Sequence, residues 1–283
     1  MTVRVLVFAN CQANPIASLM GIISPEVEIV RCPAVHTIAK ERADEILELI
    51  RGVDMVVHQP IGDNFGPLAV SKIKELFPEK RYCSFPSIYF GSLFPQLGAL
   101  RQADGSFFHG PLKAYHDNRV LNAYLQGKSR AECVAAIESD AETYDQLFDS
   151  ALEEATRREQ ETDIKLIPYI LESLKERPCF YTFNHPDNAL LFEVASRATD
   201  LLGLERKPDA RAPMRVFLGD VSAAIPDGIA ARLNVEWRRN FYLVDGHQFE
   251  WDDLVNRFYD LYAATDGFVE LVERNRGRIT AYL

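Results

Sequence analysis

The chain has 283 residues, of which 47% are hydrophobic and 25% charged, and a formal net charge of -10. That is the balance of an ordinary globular protein with ample core, needing neither disulfides nor metals to hold it. So acidic a chain lacks the basic face by which nucleic-acid binders neutralise phosphates. A local basic pocket for a phosphorylated small ligand stays open, because net charge constrains small ligands little.

The opening MTVRVLVFANCQ carries too short an apolar run to read as a signal peptide, and no stretch reaches the roughly 20 apolar residues of a membrane span. Val3 to Phe8 is a solid β-branched run, the pattern of a strand buried on both faces of a parallel sheet. Asn14-Pro15 reads as N-cap and first residue of a helix ending near Ile23. Val27 to Arg31, Asp54 to Val57 and Arg81 to Phe85 read as further strands. Between them lie amphipathic segments from Glu41 to Arg51, with Ile46, Leu47 and Ile50 inward, and from Leu68 to Phe77. From about Arg119 to Arg177 helical signals dominate, with Ser129 to Glu132 as a capping box and a long stretch from Ala141 to Lys175 broken near Pro168. Cys179 to Phe183 returns to strand character. Pro186 then leads a helix over Leu190 to Leu202 that stops at Gly203, and a final helix runs from about Glu250 to Arg274.

This order predicts an α/β fold: a parallel sheet flanked by helices, doubly wound in the manner of Rossmann, flavodoxin or SGNH proteins. The expected organisation is a single domain over 1–283, with a helical insertion at about 119–177 packed on the sheet.

Three polar clusters follow expected strands directly: Asn10-Cys11-Gln12, His58-Gln59 and Asn184-His185. If all three strands run parallel, the clusters meet at the carboxyl edge of the sheet, where ligands bind. Cys11 also precedes a helix, whose positive dipole end favours a thiolate, and a neighbouring imidazole would favour it further. His185 is the best candidate for that imidazole, with Cys11 the nucleophile. Asn10, Gln12, His58 and Asn184 are candidates for stabilising an oxyanion or orienting the reacting groups. The bland alternatives are a buried inert thiol and a structural histidine.

The other four cysteines, Cys32, Cys83, Cys133 and Cys179, lack such neighbours and read as packing residues. The five are odd in number and form no C-x-x-C pair, which argues against a zinc or redox motif and fits reduced thiols in the cytoplasm. No dinucleotide fingerprint or P-loop is present. Gln59, Ser87, Tyr89, Lys113, Tyr115, His116 and Arg119 are candidates for lining a pocket or meeting phosphates. Against that stand surface charges and histidines and aromatic residues that cap a core.

The Asn10-Cys11-Gln12 motif after an N-terminal strand resembles the hallmark of the WcbI-type polysaccharide-biosynthesis proteins. The resemblance continues through Pro86 to Gly91, Tyr115-His116-Asp117 with Gly127 and Ser129, Asn184-His185-Pro186, and Gly246-His247. It implies coenzyme A binding and transfer of an acetyl group from acetyl-CoA to a sugar hydroxyl of a capsular or surface polysaccharide. Carried over by position, Cys11 and His185 would be the catalytic pair. Two other functions stay open at this point: a cysteine-dependent esterase or thioesterase using the same residues, and a non-catalytic binding module for a glycan or nucleotide-sugar.

Overall fold

The computed structural model describes residues 2–139 and 144–278. Strands β1 (Val3–Phe8), β2 (Val27–Val30), β3 (Met55–His58) and β4 (Arg81–Ser84) form a parallel sheet in the order β2-β1-β3-β4. Its register sets Phe8 opposite His58 and His58 opposite Ser84, so three strand ends share one edge. Val5 to Phe8 and all of β3 are buried, as continuous apolar runs in a parallel sheet require. The helices α1 (Ala13–Ile23), α2 (Ala43–Arg51) and α3 (Val70–Leu76) connect the strands. Ile46 and Ile50 of α2 are fully buried in a cluster with Leu6, Phe8, Val56, Ile73 and Phe77. Each such isoleucine contributes about 1.5–3 kcal/mol by leaving water.

Two helix starts differ from the sequence expectation. α1 opens at Ala13, so Pro15 sits within its first turn, where a missing N–H costs nothing. α3 opens at Val70 because Gly66, at φ 59°, turns the chain just before Pro67.

The chain divides into two compact units, each built from three segments. Unit 1 comprises residues 1–89, 154–172 and 185–217, and unit 2 comprises 90–153, 173–184 and 218–283. Unit 1 holds the parallel sheet and the helix α8 (Asn188–Leu201), which packs against α1. Asp187 caps α8 by accepting from the Leu190 N–H at 2.8 Å, so Pro186 precedes the cap and does not start the helix.

The middle helices are α4 (Asn118–Leu125), α5 (Arg130–Glu138), α6 (Asp145–Glu159) and α7 (Ile167–Leu174). They are divided between the two units. Residues 119–153 and 173–177 belong to unit 2, and 154–172 to unit 1. The start of the expected helical stretch, at Ala141, lies outside the described residues. α5 carries the expected capping box between Ser129 and Glu132. In unit 2, α4 and α5 cover their apolar faces with α10 (Trp251–Ala264), a pairing that local periodicity cannot reveal. Gly267, at φ 67°, separates α10 from α11 (Phe268–Asn275), dividing the single helix expected at the C-terminus.

The strand expected at Cys179 to Phe183 is three residues long, Phe180–Thr182. It belongs to unit 2 and lies outside the parallel sheet. The premise that three parallel strands carry the three polar clusters therefore fails for the third. The short apolar run Cys179–Phe180 is buried, which is why its sequence reads as a sheet strand.

Candidate functional site

In the order β2-β1-β3-β4 the chain leaves β1 for a neighbour on one side and returns through β3 on the other. The crevice between the carboxyl ends of β1 and β3 is thus the topological switch point, the usual ligand position in open α/β sheets. Asn10-Cys11-Gln12 follows β1 and His58-Gln59 ends β3, so this crevice is where the sequence places its first two clusters.

Cys11 sits in a four-residue elbow (Ala9 to Gln12) between strand and helix, held on both sides. The Asn10 Oδ1 accepts from the Gln12 N–H at 3.0 Å and lies 3.9 Å from the Cys11 Sγ. The Asn10 Nδ2 reaches the Ser87 Oγ at 3.4 Å, and the Asn10 N–H donates to the Gln59 Oε1 at 3.0 Å. Gln59 Nε2 donates to Gln12 Oε1 at 2.8 Å, and Gln12 Nε2 donates to the Ile88 carbonyl at 2.8 Å. The Gln12 Oε1 also accepts from the Ile88 N–H at 3.3 Å. Loops following β1, β3 and β4 are thereby tied into one network. The positive end of the α1 dipole lies beside the elbow, an arrangement that favours anionic sulfur or a developing oxyanion.

Cys11 is half-buried, and the other four cysteines are buried. Burial pushes the Cys32, Cys133 and Cys179 thiols up to about 11 and Cys83 up to about 12, which leaves them protonated at neutral pH. Their assignment as packing residues agrees with this placement.

Gln12 and Gln59 are 0% and 2% exposed, with the amides of both engaged inside the protein. Both brace the elbow, each side-chain oxygen accepting and each side-chain nitrogen donating within the protein. His58, also buried, donates from Nδ1 to the Gln59 carbonyl at 3.0 Å. Burial lowers its pKa to about 4, so it is neutral at pH 7 and holds the Gln59 backbone. Ser87 is half-buried and Tyr89 exposed, with the Arg158 guanidinium 5.8 Å from the Tyr89 ring centroid. His185 is half-buried in unit 1, as the first residue of the strand β8 (His185–Pro186).

The remaining candidates belong to unit 2. The Tyr115 hydroxyl donates to the Asn184 Oδ1 at 2.8 Å, and the Thr182 hydroxyl lies 3.1 Å from Tyr115 and 3.0 Å from Asn184. Lys113 is paired with Asp220 at 3.1 Å and Asp245 at 2.6 Å. Arg119 is paired at 2.7 Å with Asp117, which is fully buried and also accepts from the Tyr242 hydroxyl at 2.8 Å. These two cations are neutralised by carboxylates of their own unit, which argues against the phosphate role read from the sequence. His116 is fully buried, stacked on Phe108 with ring centroids 5.5 Å apart, and shares its ring nitrogens with the Tyr262 hydroxyl and the Phe108 carbonyl. It is a core histidine, not a loop residue at the surface; besides Phe108, its aromatic neighbours Phe258 and Tyr262 come from α10 and lie far away in sequence.

Sequence reasoning missed Asp163. Its carboxylate accepts from both the N–H (2.7 Å) and the hydroxyl (2.6 Å) of Ser84, and so fixes the end of β4. Burial pushes that carboxyl up, but the Ser84 bonds outweigh the effect and hold it below the ordinary range. An aspartate in a polar loop carries no signal for such a role.

Among the described residues, no helix is long and apolar enough to cross a membrane. The family model described as polysaccharide biosynthesis enzyme WcbI matches residues 4–207. No curated protein matches the chain. A solved structure of WcbI, described as a novel polysaccharide biosynthesis enzyme in native form without a disulfide bond between coenzyme A and one of its cysteines, has the same fold. It is 19% identical, with a TM-score of 0.72, over 97% of this chain and 99% of that one.

Proposed function

The chain belongs to the WcbI family of polysaccharide biosynthesis enzymes, and on that footing we propose that it transfers an acetyl group from acetyl-CoA to a sugar hydroxyl through Cys11. The observation that carries the proposal is the elbow. Of the five cysteines, the one that is not buried stands at the β1/β3 switch point, against the start of a helix, in a turn braced by the loops that follow β3 and β4. The WcbI structure, described as the native protein without a disulfide bond between coenzyme A and a cysteine, supports the choice of a coenzyme A thioester as donor.

In the proposed reaction, the Cys11 thiolate attacks the acetyl carbonyl. The electron pair on the resulting oxyanion re-forms the carbonyl, the bond to the coenzyme A sulfur breaks, and that sulfur leaves as a thiolate that takes up a proton. The acetyl group is then on Cys11, still as a thioester, so the energy of the donor is conserved. The sugar hydroxyl attacks this second thioester as His185 removes its proton, and the Cys11 thiolate is released. The positive dipole end of α1 favours the oxyanion of both steps.

The test is the intact mass of the protein after incubation with acetyl-CoA, for wild type, Cys11→Ala and His185→Ala. The expected result is one acetyl group on wild type, none on Cys11→Ala, and on His185→Ala an acetyl group that a sugar acceptor no longer discharges. No adduct, with acetylated sugar still formed by Cys11→Ala, would refute the acyl-cysteine and leave direct transfer. Free acetate released without any acceptor would instead identify a thioesterase.

A further inference from the structure

The Gln12–Gln59 pair is an unusual element to find beneath a reacting thiol. Neither amide has a free end, and the bonds have a fixed polarity. From Gln59, the Oε1 accepts the Asn10 N–H and the Nε2 donates to Gln12 Oε1; Gln12 in turn grips both the N–H and the carbonyl of Ile88. A residue that only filled this space could be apolar, and a carboxylate could not make the same set of bonds, because Gln59 must accept on one side and donate on the other.

We propose that Gln59 is a positioning residue for Cys11: its side-chain amide, acting through Asn10 and Gln12, fixes the elbow that aims the thiol. The proposal rests on the reading of Cys11 as the reacting group. Three facts favour positioning over simple packing. First, the contact to the elbow is to the backbone N–H of Asn10, the residue directly before Cys11, so any shift of Gln59 passes straight to the thiol. Second, Asn10 itself holds the Gln12 N–H through Oδ1, which closes a ring of bonds around the elbow. Third, Gln59 is held from behind by His58, whose Nδ1–H donates to its carbonyl, so the brace is anchored in the sheet and not in a loose loop.

The bond polarity yields a test that a merely structural role would not pass. Gln59→Glu places a carboxyl in the same shape. When protonated it can accept from Asn10 through its carbonyl oxygen and donate to Gln12 through its hydroxyl, reproducing both wild-type bonds. When ionised it can only accept, and faces the Gln12 Oε1 without a proton between them. Burial raises the pKa of such a carboxyl, which brings the changeover into an accessible pH range. Gln59→Met, of similar size, makes neither bond at any pH.

Two rates are measured from pH 5 to 9: acetylation of Cys11 by acetyl-CoA in a single turnover, and alkylation of Cys11 by iodoacetamide, located by peptide mapping. The Gln59→Glu to wild-type ratio of both rates is expected near one at the acidic end, falling by about 100-fold as the carboxyl ionises, the size of loss that misplacement by about 1 Å produces. Gln59→Met is expected low throughout, with KM for acetyl-CoA unchanged because the Gln59 side chain is buried and bonded to Asn10 and Gln12. A flat ratio for Gln59→Glu in both assays, or wild-type rates in Gln59→Met, would overturn the proposal. If wild type takes no acetyl group, the acyl-transfer reading falls by itself and the alkylation ratio alone decides the role of Gln59.

Discussion

Replacing His116 with glutamine removes a titrating group from the aromatic core of unit 2, and the consequence is a change in how stability depends on pH. The ring is fully buried between Phe108, Phe258 and Tyr262, and burial lowers its pKa from 6.5 to about 4. One nitrogen donates to the Phe108 carbonyl, so the other accepts from Tyr262 and has no room for a second proton. At pH 7 the imidazole is neutral in the folded and the unfolded chain alike. As the pH falls through 6.5 the unfolded chain binds a proton that the folded one cannot, and it continues to gain until the pH reaches about 4. Stability therefore falls with acidification. Between pH 7 and pH 5 the loss from this one group is about 2 kcal/mol. Urea unfolding of wild type and His116→Gln at both pH values gives the comparison, and His58 contributes equally to both proteins. The variant's loss on going from pH 7 to pH 5 is expected to be smaller by about 2 kcal/mol. Equal losses in the two proteins would mean that the ring titrates normally, and the reasoning from burial would be wrong.

Three other outcomes follow from the same structure. Native protein at pH 8 is expected to react with a thiol reagent at Cys11 alone, because thiols pushed to about 11 or 12 hold only about one thiolate in a thousand or fewer; a second cysteine reacting at a similar rate contradicts this. Asp117→Asn strands the Arg119 guanidinium in a buried position and is expected to cost about 3–5 kcal/mol in urea unfolding. Asn188→Ala removes the amide that holds the carbonyls of Pro213 (2.9 Å) and Arg215 (2.7 Å) and the N–H of Phe217 (3.2 Å). It is expected to speed trypsin cleavage at Arg211 and Arg215 several-fold, and unchanged cleavage would show that the loop is held by something else.

The parallel sheet was legible because β1 and β3 are buried on both faces and must be written as unbroken apolar runs. The Cys11 elbow was legible because it follows β1 directly and the chain order alone brings β3 beside it. What could not be read depends on partners far away in sequence. His116 and α4 look like a loop and a solvated helix until α10, some 140 residues later, covers them. The strand at Phe180–Thr182 carries the apolar residues of a sheet member, but it belongs to unit 2 and is not one of the strands of the parallel sheet. Gln12 and Gln59 show a different limit: both are bonded into the Cys11 elbow, yet spacing gives no means of telling an amide that binds a ligand from one that braces the backbone.

The interleaving of the two units bears on how the protein can be made. A ribosome releases β1 to β4 with α1 to α3 first, but α8, which packs against α1, emerges only after the first two segments of unit 2. Until then the face of α1 that α8 packs against stands bare in the nascent chain, an invitation to chaperones or to aggregation. For the same reason no single stretch of the gene encodes a freestanding half: either unit, to be expressed alone, would have to be re-spliced from three pieces.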